Sequence, residues 1–367
     1  MNRVLGFITT NYANDNFGRL AELRPVATIP FGGRYRLVDF PLSNMVHSDI
    51  RSVGVTTAHY YRSIMDHLGA GKEWSLDRKS GGLFLLPGSI YGMKRFEGKF
   101  LLRDFIQNRP YLDRARENLV IVSASNKIYN MDFCPLVRQH RESGAQVTMV
   151  YKEIADAHMK RGPFLELSPD GKLMGIQREV SGHAAWFIDC FIINAKDLLA
   201  LMDWYETMTY IDMIEILNEN ITNMQIDSYR FDGYVGSVDS SYDYMQCSLD
   251  LLKPAIRDEL FNSRRKIFTK VQDAPPSKYL TGSNVSNAFI SNGCVIEGTV
   301  ENSILFRSVN IGKGAVIKNS VIMQHGQIGS GAVLENVICD KFVRINDSTQ
   351  LSGNRYTPLV IGKSEHI

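Results

Sequence analysis

Three consecutive segments in the last third of the chain are variants of one pattern: ENSILFRSVNIGKGAVI (301–317), KNSVIMQHGQIGSGAVL (318–334) and ENVICDKFVRIN (335–346). When they are superimposed, asparagine and isoleucine each recur every seventeen residues, at Asn302, Asn319 and Asn336 and at Ile311, Ile328 and Ile345. A small apolar residue also returns about every six positions and is followed by Gly or a small polar residue. This pattern is typical of a left-handed parallel β-helix built from hexapeptide steps, in which aliphatic side chains stack inward. We therefore predict such a β-helix over residues 287–367.

The preceding part of the chain has a different pattern, in which apolar runs alternate with helical segments. The apolar runs are VLGFIT (4–9), LVIVSA (119–124), AQVTMVY (145–151) and WFIDCFIIN (186–194). Strands that alternate with helices predict a mostly parallel sheet covered on both faces. A proline pair and a loss of periodicity then indicate a linker. We predict an α/β domain over residues 1–255 and a linker over residues 256–286.

Composition restricts the partners that the protein can have. The 367 residues contain 41 Lys and Arg against 39 Asp and Glu, a balance that argues against nucleic-acid or anionic-membrane binding. Without a long apolar run or a recognisable leader, the sequence predicts a cytoplasmic protein. The five cysteines are odd in number, widely spaced and never arranged as CxxC, so we expect reduced, buried thiols.

Ligands of doubly wound sheets bind beyond the carboxyl ends of the strands. Nucleotidyl transfer to a sugar phosphate would require cations and backbone N–H groups for the triphosphate, carboxylates for Mg²⁺, and a cation for the acceptor phosphate. The segment TTNYANDN (9–16) after the first strand contains neither glycine nor a cation, and SNK (125–127) after a later strand contains no acid. Both positions therefore lack groups that this chemistry needs.

Four other segments nevertheless indicate a family: IPFGGRYRLVDFPLSNMVHSDI (29–50), KIYNMDF (127–133), FDGYVGSVDS (231–240) and NAFISNGCVIEGTVENSILF (287–306). They closely resemble ADP-glucose pyrophosphorylase, the glucose-1-phosphate adenylyltransferase of bacterial glycogen synthesis, and the resemblance covers almost the whole chain. It implies an α/β fold with a nucleotidyltransferase (Rossmann-like) mixed-sheet domain and a C-terminal left-handed β-helix. It also implies a tetramer and conversion of ATP and glucose 1-phosphate into ADP-glucose and pyrophosphate.

The sequence departs from this family where the family's catalytic groups stand. The glycine-rich GGxGTRL loop falls on Asn11, Tyr12, Asn14, Asp15 and Asn16. The other departures are Val26 for a substrate-proximal Lys, Asn126 and Ser237 for two Mg²⁺-binding Asp residues, and Glu179 for the Lys of the acceptor-site EKP motif. The resemblance therefore predicts no catalytic group, metal or cofactor on this chain, with Mg²⁺ on a catalytic partner.

A degenerate site in an intact scaffold resembles the regulatory, GlgD-type subunit of the family, which accompanies a catalytic subunit. This interpretation predicts a hetero-oligomer, expected to be a tetramer. Arg34 matches a basic effector-contacting position of the family, so Arg34 and Arg36 are candidates for binding a sugar-phosphate or nucleotide effector. Gly32 and Gly33 beside them suit either a ligand contact or a tight turn.

Two other interpretations stay open. The chain could be an active adenylyltransferase with a divergent site, in which Asp15, Asp239 or Asp243 replaces the missing carboxylates. It could also be a β-helix transferase or a sugar-phosphate sensor, for which the sequence offers the arginines and His325. Because His325 has no acidic residue near it in sequence, a solvated turn explains this histidine better than catalysis.

Overall fold

The computed structural model describes residues 4–10, 15–57, 60–89, 98–114, 118–208 and 210–367. These residues divide into two compact units. The first unit contains the described residues of 1–13, 40–235 and 265–267, and the second contains those of 14–39, 236–264 and 268–367. No described helix is both long and apolar enough to cross a membrane.

The part of the chain before residue 265 contains both strands and helices. Its strands are β1 (Val4–Thr9), β2 (Pro30–Phe31), β3 (Tyr35–Arg36), β4 (Ser52–Thr57), β5 (Gly82–Pro87), β6 (Leu119–Ala124), β7 (Lys127–Ile128), β8 (Val147–Ile154), β9 (Phe164–Leu167), β10 (Leu173–Gln177), β11 (Ala184–Asn194), β12 (Ile226–Arg230) and β13 (Gly236–Ser237). Its helices are α1 (Asp39–His47), α2 (Tyr61–Leu68), α3 (Leu102–Gln107), α4 (Arg109–Arg114), α5 (Phe133–Ser143), α6 (Ala195–Trp204), α7 (Met213–Glu219), α8 (Ser241–Asp250) and α9 (Pro254–Leu260).

The first unit is built on a nine-stranded mixed sheet, as the sequence predicts. Seven strands follow the order β10-β9-β11-β6-β1-β4-β5, and β8 pairs with both β11 and β12. Strands β6, β1, β4 and β5 are parallel to one another, whereas β11 is antiparallel to β6 and β8. Every residue of β6 is buried, which explains its continuous apolar sequence at the centre of the sheet.

Helix α5 shows how the local sequence sets the ends of an element. The side chain of Asp132 accepts a hydrogen bond from the backbone N–H of Cys134, at 2.9 Å, and so caps the first turn. Gly144 ends the helix in the left-handed conformation, with φ of 67°. This geometry leaves Cys134 exposed, so the expectation of a buried thiol is wrong for that residue. It is confirmed for the other four cysteines, Cys190, Cys247, Cys294 and Cys339.

The second unit contains the predicted β-helix. Its strands are β14 (Lys278–Tyr279), β15 (Asn284–Ser286), β16 (Phe289–Ile290), β17 (Val295–Ile296), β18 (Thr299–Glu301), β19 (Ile304–Leu305), β20 (Asn310–Ile311), β21 (Val316–Lys318), β22 (Val321–Ile322), β23 (Gln327–Ile328), β24 (Val333–Glu335), β25 (Val337–Cys339), β26 (Arg344–Ile345), β27 (Gln350–Ser352) and β28 (Leu359–Ile361). They form three parallel five-stranded sheets, β14-β17-β20-β23-β26, β15-β18-β21-β24-β27 and β16-β19-β22-β25-β28. The first strand, β14, lies inside the segment that the sequence assigns to a linker.

The seventeen-residue repeat of the sequence is the register of these sheets. Ile311 pairs with Ile328, and Ile328 pairs with Ile345, so equivalent residues of successive coils lie side by side. All three isoleucines belong to the buried core of the β-helix. The repeated asparagines take the corners, where Asn302, Asn319 and Asn336 have positive φ angles. Asn tolerates this conformation better than other non-glycine residues, so the repeat follows from the geometry of the corner.

Candidate functional site

The exit from β1 is held by hydrogen bonds to the end of β4. Thr10 donates its backbone N–H to Thr56 Oγ1 (3.2 Å) and its hydroxyl to the carbonyl of Thr56 (2.6 Å), and both residues are buried. Of the residues that replace the glycine-rich loop, Asn11, Tyr12 and Asn14 lie outside the described residues. Asp15 and Asn16 are exposed at the start of a 3₁₀ helix.

Neutral side chains stand at the two positions that the family resemblance aligns with Mg²⁺ ligands. Asn126 is buried in the first unit, and Ser237 is buried in the second, where its hydroxyl donates to the carboxylate of Asp239. Among the described residues, no three His, Cys, Asp or Glu side chains converge in a way that could hold a metal ion. Since Mg²⁺ prefers carboxylate and other oxygen ligands, these residues do not fit that ion. Val26 belongs to the buried core of the second unit.

The replacement for the acceptor-site lysine, Glu179, lines a cavity of about 510 Å³ in the first unit. Glu179 is exposed there, beside Arg178, whose guanidinium lies 2.9 Å from the carboxylate of Glu215. Asp212 lies deeper and accepts backbone hydrogen bonds from Phe100 and Ile214, each at 2.8 Å. Burial raises the pKa of Asp212 to about 6. The cavity wall thus carries several acids, an unfavourable environment for a phosphate group.

A cluster of three charged residues lies at one wall of the same cavity. The ammonium groups of Lys99 and Lys127 lie 2.6 Å and 3.1 Å from Oδ2 of Asp189. The Lys127 ammonium also lies 4.5 Å from the ring centroid of Trp186, within the range of a cation–π interaction. Trp186 and Phe187 are fully buried and belong to the core. Lys127 and Asp189 therefore neutralise each other inside the protein.

Arg34, one of the two effector-binding candidates, lines a second cavity of about 640 Å³, which lies within the second unit. Arg307 lies beside it and donates hydrogen bonds to the carbonyls of Gln272 (2.9 Å) and Arg34 (3.4 Å). Burial and the neighbouring Arg34 lower the pKa of Arg307, because both disfavour its charged form. The Nε atom of Arg307 is buried and finds no acceptor among the described residues. This pair of arginines gives the cavity a cationic side.

The glycines before Arg34 are explained by the backbone. Gly32 and Gly33 have φ angles of 53° and 79°, in the left-handed region. A Cβ atom on Gly33 would lie 2.1 Å from Oγ of Ser291, which is closer than any side chain could approach. Of the two roles left open by the sequence, the tight turn accounts for both glycines.

The other candidate, Arg36, belongs to a separate basic group that also contains Arg24, Lys341 and Lys363. Burial and the nearby charges of Arg36 and Arg24 lower the pKa of Lys341 to about 7, although Asp340 acts in the opposite direction. Asp340 itself is fully buried and forms a salt bridge with Arg24. The region around Lys341 is therefore one where positive charge is crowded and an anion would be favourable.

His325, considered above as a catalytic base, is an exposed corner residue of the β-helix. Its φ angle is 61°, and its ring stacks on Phe342 with the centroids 5.0 Å apart. These observations agree with a turn residue.

Sequence reasoning missed the roles of Asp189, Lys127 and Lys341. One signal could have found the first of them: Asp189 is the single charge in the apolar run WFIDCFIIN, and a charge in a buried strand requires a partner. Another was available beside Lys341: Asp340 stands where the preceding coils of the repeat have the apolar residues Met323 and Phe306, and a buried acid requires a partner.

Comparison with known proteins agrees with this architecture. Residues 20–160 match the nucleotidyl transferase family, and residues 275–356 match a family described as GlmU-like, C-terminal hexapeptide. The chain is 38% identical over 363 residues to the glycogen biosynthesis protein GlgD of Bacillus subtilis, an alignment that covers 99% of this chain and 96% of that protein. The chain belongs to the GlgD family.

Other relatives place the GlgD family beside an enzyme family. GlgD of Geobacillus stearothermophilus is 37% identical over 318 residues, covering 86% of this chain and 83% of that protein. The glucose-1-phosphate adenylyltransferase of Pseudothermotoga lettingae is 31% identical over 331 residues, covering 86% of this chain and 77% of the enzyme. The resemblance stated from the FGGRYRLVDFPLSN segment is thus confirmed. The nucleotidyl transferase match begins at residue 20, after the segment 11–16 that the resemblance aligns with the glycine-rich loop.

Proposed function

We propose that this chain is a non-catalytic or weakly catalytic regulatory subunit of glucose-1-phosphate adenylyltransferase in bacterial glycogen biosynthesis. The observation that carries the proposal is the pair of neutral, buried side chains, Asn126 and Ser237, at the positions of the metal carboxylates. The reaction would join ATP and glucose 1-phosphate, and both bring phosphate charge that Mg²⁺ must offset. Neither an amide nor a hydroxyl supplies the negative charge that holds this ion.

The size of the expected loss supports this interpretation. Removing one preorganised electrostatic contact typically costs about 3 to 4 kcal/mol of transition-state stabilisation. Here both metal carboxylates are replaced, and an anion, Glu179, stands where a cation would hold the acceptor phosphate. These free-energy losses are not additive, so we do not sum them. Any one of them alone reduces turnover by a factor of about a hundred or more.

The alternative, an active adenylyltransferase with a divergent site, would require a substitute carboxylate. Asp243 accepts a hydrogen bond from the Ser240 hydroxyl (2.7 Å), and Ser240 in turn accepts one from the backbone N–H of Asp243 (3.1 Å), the arrangement of a helix cap. Asp239 accepts from Ser237. These contacts give both acids local structural roles and favour the regulatory proposal.

The regulatory role needs a catalytic partner and an effector. We expect a hetero-oligomer with a catalytic paralogue, in the form of a mixed tetramer, since closed assemblies depend on complementary surfaces that can persist after a pocket decays. The effector would be an anion, a sugar phosphate or a nucleotide, bound at the cationic groups of Arg34 or Arg36. The lowered pKa of Lys341 beside Arg36 supports this choice, because a bound anion would relieve the repulsion there.

An assay of ADP-glucose synthesis tests the proposal directly. This chain, its catalytic paralogue and the co-expressed pair are each assayed with Mg²⁺, ATP and glucose 1-phosphate. We expect no product from this chain alone, product from the paralogue, and a changed substrate affinity or effector response in the pair. The double variant Asn126→Asp, Ser237→Asp should stay inactive because Glu179 remains. Mg²⁺-dependent turnover by the isolated wild-type chain would overturn the proposal.

Light scattering on the co-purified pair tests the assembly. A mixed tetramer is expected, and the recovery of only separate homo-oligomers would contradict the partner assignment without bearing on catalysis.

A further inference from the structure

Asp189 lies where the backbone of β11 is distorted. The register between β11 and β8 shifts between Phe187 and Phe191, so that residues 188–190 stand opposite Val150 alone. Within this bulge Asp189 has a φ of 54°, in the left-handed region that non-glycine residues seldom adopt. Bulges of this kind change the direction of a side chain, and Asp189 contributes to the wall of the 510 Å³ cavity. The distortion therefore places a carboxylate at that wall.

Two lysines converge on a single oxygen of this carboxylate. Oδ2 of Asp189 lies 2.6 Å from Nζ of Lys99 and 3.1 Å from Nζ of Lys127. The Lys127 side chain is fully buried and that of Asp189 is 3% exposed, whereas Lys99 is 19% exposed and reaches the cavity. Proteins use the same geometry, in which two ammonium groups contact one oxygen, to hold a bound phosphate or carboxylate.

We propose that Asp189 acts as a built-in anionic ligand: its carboxylate fills an anion-binding position formed by Lys99 and Lys127 and so closes the cavity to small free anions such as inorganic phosphate. This proposal does not rest on the regulatory function above. The open space beside the cluster distinguishes it from an ordinary structural ion pair, because Asp189 separates the position between the two ammonium groups from a cavity that Lys99 lines and that is large enough for phosphate.

The substitution Asp189→Gly tests the proposal, since it removes the carboxylate together with the space it fills, and glycine adopts the positive φ of this position without strain. Titration calorimetry with inorganic phosphate should detect one additional site in this variant, and phosphate sites elsewhere are common to both proteins and cancel. Binding at the new site should be at least about tenfold tighter than any that the wild type shows there, because two cations lose their internal partner. Adding Lys99→Met to the variant should abolish the new site.

Glu215→Gln is the matched control. It removes a negative charge from the wall of the same cavity, but that charge is paired with the exposed Arg178. We expect this variant to gain no phosphate site. A gain equal to that of Asp189→Gly would show that any loss of acid from the cavity has the same effect, and would overturn the proposal.

A stability measurement covers the case in which Asp189→Gly folds poorly. The carboxylate of Asp189 offsets the cost of burying the Lys127 ammonium. Without it the variant should melt at a lower temperature than the wild type. Phosphate should then raise the melting temperature of the variant more than chloride does at equal ionic strength, and more than it does for the wild type. Equal responses of the two proteins, together with no additional site in calorimetry, would overturn the proposal.

Discussion

The cationic groups of the two units differ in what neutralises them. In the first unit, Lys99 and Lys127 face the carboxylate of Asp189, which the chain itself supplies. In the second, Arg36 and Lys341 lie near one another, and burial together with the charges of Arg36 and Arg24 lowers the pKa of the lysine to about 7. The difference shows that basic residues alone do not identify an anion site. The residues that are crowded without enough internal acid are the better candidates for binding an external anion.

The largest effect is expected from breaking the buried salt bridge between Arg24 and Asp340 in the second unit. Arg24→Met leaves the fully buried carboxylate of Asp340 without its salt bridge. Removing one partner of a buried pair typically costs about 3 to 5 kcal/mol, so the free energy of unfolding should fall by about that amount. Urea unfolding measures the loss.

Arg109→Met is the control for that experiment, because its salt bridge with Asp203 lies at the surface. We expect only a small change in the free energy of unfolding, since solvent screens such pairs. Similar losses in the two variants would contradict the distinction between the buried and the exposed pair.

A smaller effect is expected on the pH dependence of anion binding in the second unit. Sulfate, which does not titrate near neutrality, should bind near Lys341 with an affinity that is level below pH 7 and falls above it. Below pH 7 the Lys341 ammonium is already protonated, whereas above that pH the free protein must take up a proton to bind the anion. The affinity should therefore fall by up to about tenfold per pH unit, as measured by calorimetry between pH 6 and 8.

Lys341→Arg is the matched variant, because arginine stays charged throughout this range. Sulfate binding by this variant should lose the decrease above pH 7. If the wild type and the variant show the same pH dependence, Lys341 is not the titrating group at the site.

The smallest expected effect concerns Arg34. Because this side chain is exposed and screened, Arg34→Ala should weaken the effector response of the mixed assembly by only about two- to fivefold. Basal activity and assembly should be unchanged. Arg264→Ala, another exposed arginine of the second unit, provides the control. An unchanged response to both sugar-phosphate and nucleotide effectors would remove Arg34 from the effector site.

The fold was predictable where the sequence repeats a geometric constraint. Asn302, Asn319 and Asn336 mark the β-helix because each corner needs the same unusual backbone angle. The start of the β-helix was less visible, since β14 (Lys278–Tyr279) is exposed and carries no aliphatic signature. Apolar alternation can locate a core, but it does not reveal a strand whose stability comes from pairing with the next coil.

The site was predictable only in its departures from the family. The resemblance assigns Asn126, Ser237 and Glu179 to positions of known motifs, and their role as replacements stays a prediction. The convergence of Lys99 on Asp189 could not be recognised, because the two residues are ninety positions apart and meet through a bulge that leaves no sequence signal. Likewise, the low pKa of Lys341 depends on residues 24 and 36, which three-dimensional packing brings near it.

The salt bridge between Arg24 and Asp340 also sets an order of events during synthesis. Its two residues are separated by 316 positions, so the second unit cannot complete its core until the late coils of the β-helix have left the ribosome. The described residues of the first unit end at residue 267, well before those coils. Contacts between residues far apart in sequence form slowly. A chain whose synthesis has passed residue 267 but not residue 340 would contain the complete mixed sheet, while residues 15–39 would still lack the late coils that they pack against. We therefore expect nascent chains that end before residue 340 to be the form of this protein most dependent on chaperones.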